Sequence, residues 1–440
     1  MNRHKTAQIL TTIWLLSGLL VACGSAASAP AAGYNAEVAT SWFDLFRDLV
    51  KVTDGFTPPV ASRAFGYAGV TLYEAVAPGM PGYQSLAGQL NGLEPLPQPA
   101  SGEAYHWPTV ANSALAGIAR KLFAAAPQEY LAAINSLEDQ FVYKFRPNLD
   151  PAVFSRSVGQ GQLIAYAIYE WSLLDGGKDG NRAPFPASYT PPAGPGYWVS
   201  TPPRFQPAML PAWGNNRPFA LKSGDECAPE PPPAFSWDAA SPFYREALEV
   251  HDAGAGLTPE QTAIAQFWAD NPGQTATPSG HSISIVSQVL REKNASLDVA
   301  AEAYARVGIA VADSFISCWN TKYKYNLLRP ISYIQQVIDP NWTSSVVTPP
   351  FPEYTSGHSV QSAAAAQVLT DLFGEDYAFT DRTHEAAGLA ARRFSSFFAF
   401  AEEAAISRLY GGIHYRAAIE QGLAQGKCIG QRVGAIRFKK

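Results

Sequence analysis

Residues 354–373 read YTSGHSVQSAAAAQVLTDLF, and this stretch predicts a buried helix with a binding site at its start. Its apolar residues recur at three- and four-residue spacing, which is typical of one helix face. Ser356 stands where the N-cap is expected, and Gly357 lets a ligand approach the backbone. Free N–H groups at a helix N-terminus bind anions. His358, in the first turn, would stand beside such an anion, where it could move protons.

Two cations lie upstream in the stretch KYKYNLLRP, residues 322–330. Lys322 and Arg329 are separated by two helical turns, so a helix would direct both from nearly the same face. Pro330 disfavours helical geometry at Arg329 and is expected to end the helix there. The pair predicts a shared anion, and a solvated basic face is the alternative interpretation.

An arginine and a histidine follow downstream in SRLYGGIHYR, residues 407–416. The guanidinium of Arg408 offers a two-pronged fork that suits an oxyanion. His414 comes later at a spacing that would not share a face on a straight helix. The Gly411-Gly412 pair could supply the bend that brings His414 to the same site.

A near copy of the first motif, TPSGHS at residues 277–282, raises the question of which histidine takes part in chemistry. His281 also precedes a plausible helix, but it lacks companion cations. The Arg217-Pro218 pair before it has Leu210, not lysine, at the matching upstream position. His358 has cations on both sides in sequence. We therefore assign the chemistry to His358 and interpret residues 278–281 as a structural helix start, or at most part of the pocket rim.

In order along the chain, the three motifs read Lys-x6-Arg-Pro, Ser-Gly-His and Ser-Arg-x5-His. This arrangement resembles the vanadium-dependent haloperoxidases and the related acid phosphatases, the phosphatidic acid phosphatase type 2 superfamily. The segments WNTKYKYNLLRP (319–330) and PPFPEYTSGHS (349–359) are similar to the haloperoxidase branch. ASRAFGYAGVTLYEAV (61–76) and GYWVSTPP (196–203) resemble its bacterial members. The likeness extends over residues 40–435.

The resemblance implies an all-α helical bundle of the vanadium haloperoxidase and acid phosphatase type, with a Pro-rich extended belt. It assigns vanadium binding to His414 and acid–base transfer at an apical hydroxide to His358. It also implies that Lys322 polarises the peroxide. The groups expected to bind the equatorial oxygens of vanadate are Lys322, Arg329, Arg408, Ser356 and the Gly357 N–H.

The implied activity is that of a vanadate-dependent haloperoxidase, which oxidises a halide with hydrogen peroxide to hypohalous acid for reaction with an organic acceptor. Phosphate would compete with vanadate for the site, and the sequence has no haem or flavin motif. A secreted acid phosphatase is one alternative, with His414 as nucleophile and His358 protonating the leaving group. A degenerate lipoprotein that only binds an oxyanion is the other.

Three further residues match family positions near the pocket. Phe351 matches a position linked with halide handling, where chloride-oxidising relatives also have Phe. Trp319 also matches the haloperoxidase branch, and both aromatics are equally compatible with a place in the core. Asp270, in FWADNPG at 267–273, resembles an acid that approaches the pocket.

One position departs from the family pattern. The family usually has Asp four residues after the metal-binding histidine, where it steadies the imidazole. Here that position is Ala418. Arg416 cannot accept the imidazole N–H, and Glu420 lies beyond the expected turn. Unless a backbone carbonyl takes over this bond, the substitution predicts weak vanadate binding and poor turnover.

The first residues predict export. Residues 1–22 carry a basic start and an apolar run that is short for a membrane-spanning helix. LVAC at 20–23 resembles a bacterial lipoprotein signal, with cleavage before Cys23 and lipid on its sulfur. An ordinary secretory signal is the alternative. We expect a periplasmic or cell-surface lipoprotein that meets the membrane only through its lipid anchor.

The rest of the chain divides by composition into a flexible tether and three larger parts. Of the 35 prolines, 14 fall between Pro184 and Pro233, so this segment is expected to be extended and packed on the helices. The predicted parts are the tether (23–35), an N-terminal helical half (36–183), the Pro-rich belt (184–236) and a C-terminal helical half (237–440) that carries the oxyanion site.

Charge and cysteine content narrow the class of protein. Without Arg3 and Lys5, the 32 basic residues fall to 30 against 37 acidic residues, which argues against a nucleic-acid partner. Three cysteines remain after Cys23, so one disulfide at most is expected, with its pairing undetermined. The sequence leaves a homo-oligomer open.

Overall fold

The computed structural model describes residues 28–440, so the predicted signal peptide and Cys23 lie outside the described residues. Thirteen α-helices and one short two-stranded sheet form within the described part of the chain. The predicted all-α class is therefore confirmed. Among these helices, none combines the length and the apolar character needed to cross a membrane.

The N-terminal half consists of five helices: α1 (Glu37–Val52), α2 (Pro58–Val76), α3 (Trp107–Leu122), α4 (Gln128–Phe145) and α5 (Pro151–Ser172). Local sequence explains how α5 begins. The Asp150 side chain accepts hydrogen bonds from the N–H groups of Ala152 and Val153, and Pro151 occupies the first helical position. α5 packs along α3, and α2 lies against both of them.

The C-terminal half consists of eight helices: α6 (Pro242–Ala255), α7 (Pro259–Phe267), α8 (Thr277–Glu292), α9 (Leu297–Tyr325), α10 (Pro330–Val337), α11 (Gly357–Phe373), α12 (Phe397–Tyr410) and α13 (Arg416–Gly434). The sheet pairs β1 (Phe379–Asp381) with β2 (Arg392–Phe394) in antiparallel register, with Phe379 opposite Phe394.

Two close helix crossings position the site. Where α2 crosses α9, a Cβ atom on Gly69 would lie 2.4 Å from the Tyr304 carbonyl oxygen. Where α11 crosses α13, a Cβ atom on Gly426 would lie 2.1 Å from the Val360 carbonyl oxygen. Only glycine permits such contacts. The second crossing lets the Ser356 N–H donate to the Ala418 carbonyl at 3.0 Å, so the start of α11 lies against α13.

The Pro-rich segment packs on α9. Residues 184–236 contain no α-helix, only a short 3-10 turn at Trp213–Asn215. The buried Asp313 of α9 accepts backbone N–H bonds from Phe219, Ala220 and Leu221 at 2.6–3.0 Å. Backbone donors satisfied by a buried carboxylate fix the segment on the helix surface.

The start of the described chain is packed against the fold, and a disulfide joins the Pro-rich segment to α13. Residues 31–33, which fall in the predicted tether, form a 3-10 turn with Ala31 fully buried, so this part is packed rather than free. Cys227, in the Pro-rich segment, forms a disulfide with Cys428 of α13. Cys318 stays a buried free thiol.

Candidate active site

The two upstream cations meet in a different way from the one predicted. α9 ends at Tyr325, where Asn326 adopts a left-handed conformation, so no single helix carries both residues. Arg329 instead precedes Pro330 as the N-cap of α10. Both cations face the ring of Phe351, with Lys322 Nζ at 5.0 Å and the Arg329 guanidinium carbon at 4.9 Å from its centre. The chain reversal after α9 therefore brings them together.

Lys322 is fully buried and donates to three backbone carbonyls, those of Pro352, Glu353 and Thr355. An ammonium has three donors, so all of them are occupied. The direct bond to an anion that the resemblance implies for Lys322 requires the exchange of one of these bonds. Without exchange, the residue contributes positive charge.

The start of α11 matches the prediction from its motif. Ser356 caps the helix by accepting the Ser359 N–H at 3.3 Å. The nearest atoms to a Cβ on Gly357 would be 3.7 Å away, so the backbone there is open on one side. Gly357 and His358 are only half-buried, whereas Lys322 and Arg329 are fully buried. Ligands can therefore reach the pocket along the first turn of α11.

The glycine pair after α12 supplies the predicted bend. α12 ends at Tyr410, Gly412 has a φ of 75°, and the Ile413 N–H returns to the Arg408 carbonyl at 3.1 Å. The Ile413 carbonyl then accepts a bond from Arg329 Nη1 at 2.8 Å. His414 follows directly, and its Nε2 lies 3.2 Å from the same Arg329 nitrogen. Motifs far apart in sequence thus share one pocket.

His414 is oriented by an acid that the sequence analysis missed. Its Nδ1 lies 2.8 Å from Oε1 of Glu353, which also accepts the Tyr415 N–H at 2.9 Å. The bond that the family takes from an acid at the position of Ala418 therefore comes from the Glu353 side chain, and not from a backbone carbonyl, the alternative that the sequence left open. The signal was available in PPFPEY, since a carboxylate among apolar residues and prolines must find a buried partner.

Burial shapes the ionisation of the whole pocket. It raises the pKa of Glu353 to about 8 and lowers the pKa of Lys322 to about 7. Burial, followed by the charges of Arg329 and Lys322, holds the pKa of His414 well below its usual range. Burial and the nearby Arg408 do the same for His358. Both histidines are therefore neutral beside cations.

The hydrogen bonds fix the tautomer of His414. Because Nδ1–H donates to the Glu353 carboxylate, Nε2 carries the lone pair, which accepts from Arg329 Nη1. If Nε2 exchanges its bond with Arg329 for a ligand, this neutral imidazole can act as a metal ligand or as a nucleophile.

Two unpartnered atoms indicate which kind of ligand the pocket can bind. Arg329 Nη2 and His358 Nε2 are both buried without a hydrogen-bond partner within the described chain. A buried guanidinium nitrogen left unbonded is costly, and a bound oxyanion would satisfy it. Together with the positive charge of Lys322 and Arg408, these atoms fit vanadate or phosphate.

The two aromatic residues form a wall beside the cations. The rings of Trp319 and Phe351 are 4.8 Å apart, and the Trp319 indole N–H donates to the Met209 carbonyl at 3.2 Å. Phe351 therefore contacts the site cations directly. Trp319, on α9, packs against Phe351 and is itself held by a bond to the Pro-rich segment.

His281 and Asp270 lie together outside the pocket. His281 Nδ1 is 2.9 Å from Asp270, and its Nε2 is 2.7 Å from Asp381. Burial alone would lower the pKa of His281, but the charges of both aspartates raise it to about 10. His281 is thus a buried imidazolium, as befits a structural helix start, and the structure does not bring it into the set of anion-binding residues.

Comparison with known proteins agrees with this geometry. The family model described as the VCPO second helical-bundle domain matches residues 302–438. A solved bacterial vanadium-dependent iodoperoxidase is 39% identical, with a TM-score of 0.83, over 92% of this chain and 96% of its own. The chain belongs to the bacterial vanadium-dependent haloperoxidases.

More distant haloperoxidases share the fold alone. A holo-type bacterial vanadium-dependent chloroperoxidase is 17% identical, with a TM-score of 0.65, over 87% of this chain and 92% of its own. An apo-type structure of a bacterial vanadium-dependent chloroperoxidase is 15% identical, also with a TM-score of 0.65, over 86% and 92%. No curated protein sequence matches the chain. The haloperoxidase family is thus established for this enzyme, and the halide is not.

Proposed function

We propose that this haloperoxidase binds vanadate beside His414 and uses hydrogen peroxide to oxidise a halide to hypohalous acid. The observation that carries the proposal is the pair of buried, unpartnered nitrogens, Arg329 Nη2 and His358 Nε2, in a pocket of positive charge. Phosphate fits the same donors, so it would compete with vanadate.

Different residues would bind the metal and the oxygens of vanadate. His414 Nε2 would bind the metal, because its other nitrogen is held by Glu353. Arg329, Arg408, Ser356 and the Gly357 N–H would hold the oxygens. Vanadate, when bound, supplies a Lewis acid that activates peroxide toward a halide.

The remaining residues tune charge and proton transfer. His358 is neutral, and its Nε2 is buried without a partner in the described chain, so it can accept a proton from peroxide and return it. Lys322 holds positive charge against the reacting oxygens in a dry setting, where electrostatic stabilisation is strongest. Phe351 and Trp319 exclude water from that side.

We propose iodide as the halide to test first, because the 39% identical relative is an iodoperoxidase. Hypoiodous acid leaving the pocket would then react with an organic acceptor. Phe351, which contacts both cations, is the side chain most directly placed to influence the choice of halide.

The test compares two activities in one preparation. The chain from residue 28 would be stripped of anions and titrated with vanadate while peroxide-dependent oxidation of iodide, bromide and chloride is followed. Hydrolysis of an aryl phosphate would be measured without vanadate. Halide oxidation that rises and saturates with vanadate supports the proposal, and phosphate release without halide oxidation refutes it.

A phosphatase remains the second candidate function, and one observation supports it. The Nε2 lone pair of His414, oriented by Glu353, is what a phosphoryl-accepting nucleophile needs. The third hypothesis, a degenerate site, has Ala418 as its main support. The bond between Glu353 and His414 argues against it.

We also propose that the enzyme is exported and lipid-anchored at Cys23. The disulfide between Cys227 and Cys428 supports an oxidising compartment. The test expresses the full chain in a bacterial host and separates membrane from soluble fractions. Cys23→Ala should move the enzyme out of the membrane fraction, and unchanged membrane association would refute the anchor.

A further inference from the structure

The duplicated Ser-Gly-His motif has a place in the fold that the oxyanion site does not use. His281, in the first turn of α8, is 2% exposed and lies between two carboxylates from different parts of the chain. Asp270 belongs to the connection between α7 and α8, and Asp381 ends β1. Both ring nitrogens donate to ionised acceptors, so the ring is fixed at both ends.

The partners of this imidazolium are themselves fixed. Asp381 accepts from the N–H and hydroxyl of Thr383 and from the Gln288 side chain. Asp270, at a φ of 46°, also accepts from His384 at 3.2 Å. A non-glycine residue in the left-handed region is held there by its surroundings. His281 thus anchors a strained turn.

That turn reaches the oxyanion site through Trp268. Its indole ring stacks on His281, with centres 4.3 Å apart and planes at 18°. Its carbonyl accepts from Arg408 Nη2 at 2.5 Å. The turn that His281 anchors therefore directs an anion-binding arginine.

We propose that His281 is a positioning residue of the haloperoxidase, which clamps the Trp268–Asp270 turn so that the Trp268 carbonyl orients Arg408. The effect on vanadate binding rests on the proposed function, whereas the geometry does not. Loss of this clamp would let the carbonyl move and leave the Arg408 guanidinium poorly oriented toward the ligand. Supporting partners of this kind change metal affinity about 10- to 100-fold when removed.

A metal ion is the competing interpretation of the same cluster. Asp270, His281 and His384 each offer a donor atom, and these atoms lie within 4.8 Å of one another. The bonds of His281 favour the clamp, because a ring whose nitrogens both donate to carboxylates has no lone pair for a metal.

The experiment compares His281→Gln and Asp381→Asn with wild type. Asp381→Asn keeps the ring but removes its second carboxylate, so it remains informative if His281→Gln folds poorly. The control is His106→Gln, a half-buried histidine bonded to Thr109 at the start of α3. Folding is checked by circular dichroism, and vanadate dissociation constants are measured by calorimetry. Both clamp variants are also made in an Arg408→Ala background, because a residue that acts through Arg408 should have no further effect there.

Wild type and His106→Gln should have matching vanadate affinities. The folded clamp variants should bind vanadate about tenfold more weakly, but should cause no further loss in the Arg408→Ala background. A folded His281→Gln with wild-type affinity, or the same tenfold loss without Arg408, would overturn the inference. A stoichiometric metal ion in wild type that is lost from His281→Gln would also overturn it. If wild type binds no vanadate, the proposed function fails, and inorganic phosphate titrated into the same variants decides the positioning role.

Discussion

Glu353 and His414 form the relationship on which the site depends: Oε1 of the buried glutamate lies 2.8 Å from Nδ1 of the imidazole. The carboxylate precedes the Ser-Gly-His motif, whereas the family pattern would place the acid after the histidine. An acid thus orients the histidine, as in the family pattern, but from a different position in the chain. Nε2 of His414 points to Arg329 in the structure, and in the proposed function it exchanges this contact for the metal.

Replacing Glu353 tests this relationship directly. Glu353→Ala should weaken vanadate binding about tenfold or more, because His414 loses the bond that fixes its tautomer. Glu353→Gln keeps an acceptor oxygen and should lie between wild type and Glu353→Ala. Calorimetric titration with vanadate measures both. Glu74→Gln, another buried glutamate that caps backbone and serine donors far from the site, should bind as wild type. Equal affinities for all variants would show that Glu353 does not orient His414.

The same relationship predicts the result of restoring the family residue. Ala418→Asp should not tighten vanadate binding, since Glu353 already holds His414. Ala418 is fully buried, so a carboxylate at this position should lower the free energy of unfolding by about 2–4 kcal/mol. Thermal unfolding and vanadate titration check both effects, with Ala418→Asn as an uncharged control. Tighter binding by Ala418→Asp would mean that orientation was incomplete.

The disulfide predicts a redox effect on stability. It joins Cys227 and Cys428, 201 residues apart, so reduction should cost about 2–5 kcal/mol of unfolding free energy. A thiol reductant should therefore lower the unfolding temperature of wild type. The double variant Cys227→Ala/Cys428→Ala should have a low unfolding temperature that reductant does not change. If reductant lowers the unfolding temperature of the double variant as much as that of wild type, the change in stability does not come from this disulfide.

The His281 cluster predicts how stability changes with pH. The pKa of His281 is raised to about 10, so its contribution is complete below the unfolded value of about 6.5 and is lost as pH rises toward 10. His281 and its hydrogen bonds overcome burial and hold the pKa values of Asp270 and Asp381 low, so their contribution is lost in acid. The stability difference between wild type and His281→Gln should therefore be largest between about pH 4 and 6.5.

Urea unfolding at several pH values measures that difference. The groups that face His281 are Asp270, Asp381 and His384, and all three remain in the variant. The two unfolding curves should approach each other at alkaline pH. A difference that is constant from pH 5 to 9.5 would show that folding does not shift the pKa of His281, and one that increases as pH rises through about 6.5 would show that His281 is neutral in the fold.

Local patterns predicted the helices and the motif residues well. The Ser356 cap, the bend at Gly411-Gly412 and the packed Pro-rich segment depend on neighbours in sequence, and each was visible there. The helix predicted to continue to Arg329 ends at Tyr325, because Asn326 takes a left-handed conformation that no periodicity reveals.

Pairings over long sequence distances could not be read from the sequence. Glu353 reaches His414 across 61 residues, and His281 reaches Asp381 across 100. Both pairs form only when helices cross and a short sheet closes, which is a property of the tertiary fold. A buried carboxylate signals that a partner exists but does not identify it.

Calorimetric titration of the anion-stripped enzyme with vanadate tests most directly whether His414 holds the cofactor. The variants compared are wild type, His414→Ala and the control His106→Ala. We predict one vanadate per chain in wild type and in the control, and no measurable saturation in His414→Ala. If His414→Ala, folded as judged by circular dichroism, binds vanadate with the wild-type stoichiometry and affinity, then His414 does not hold the cofactor and the assignment of the site is contradicted.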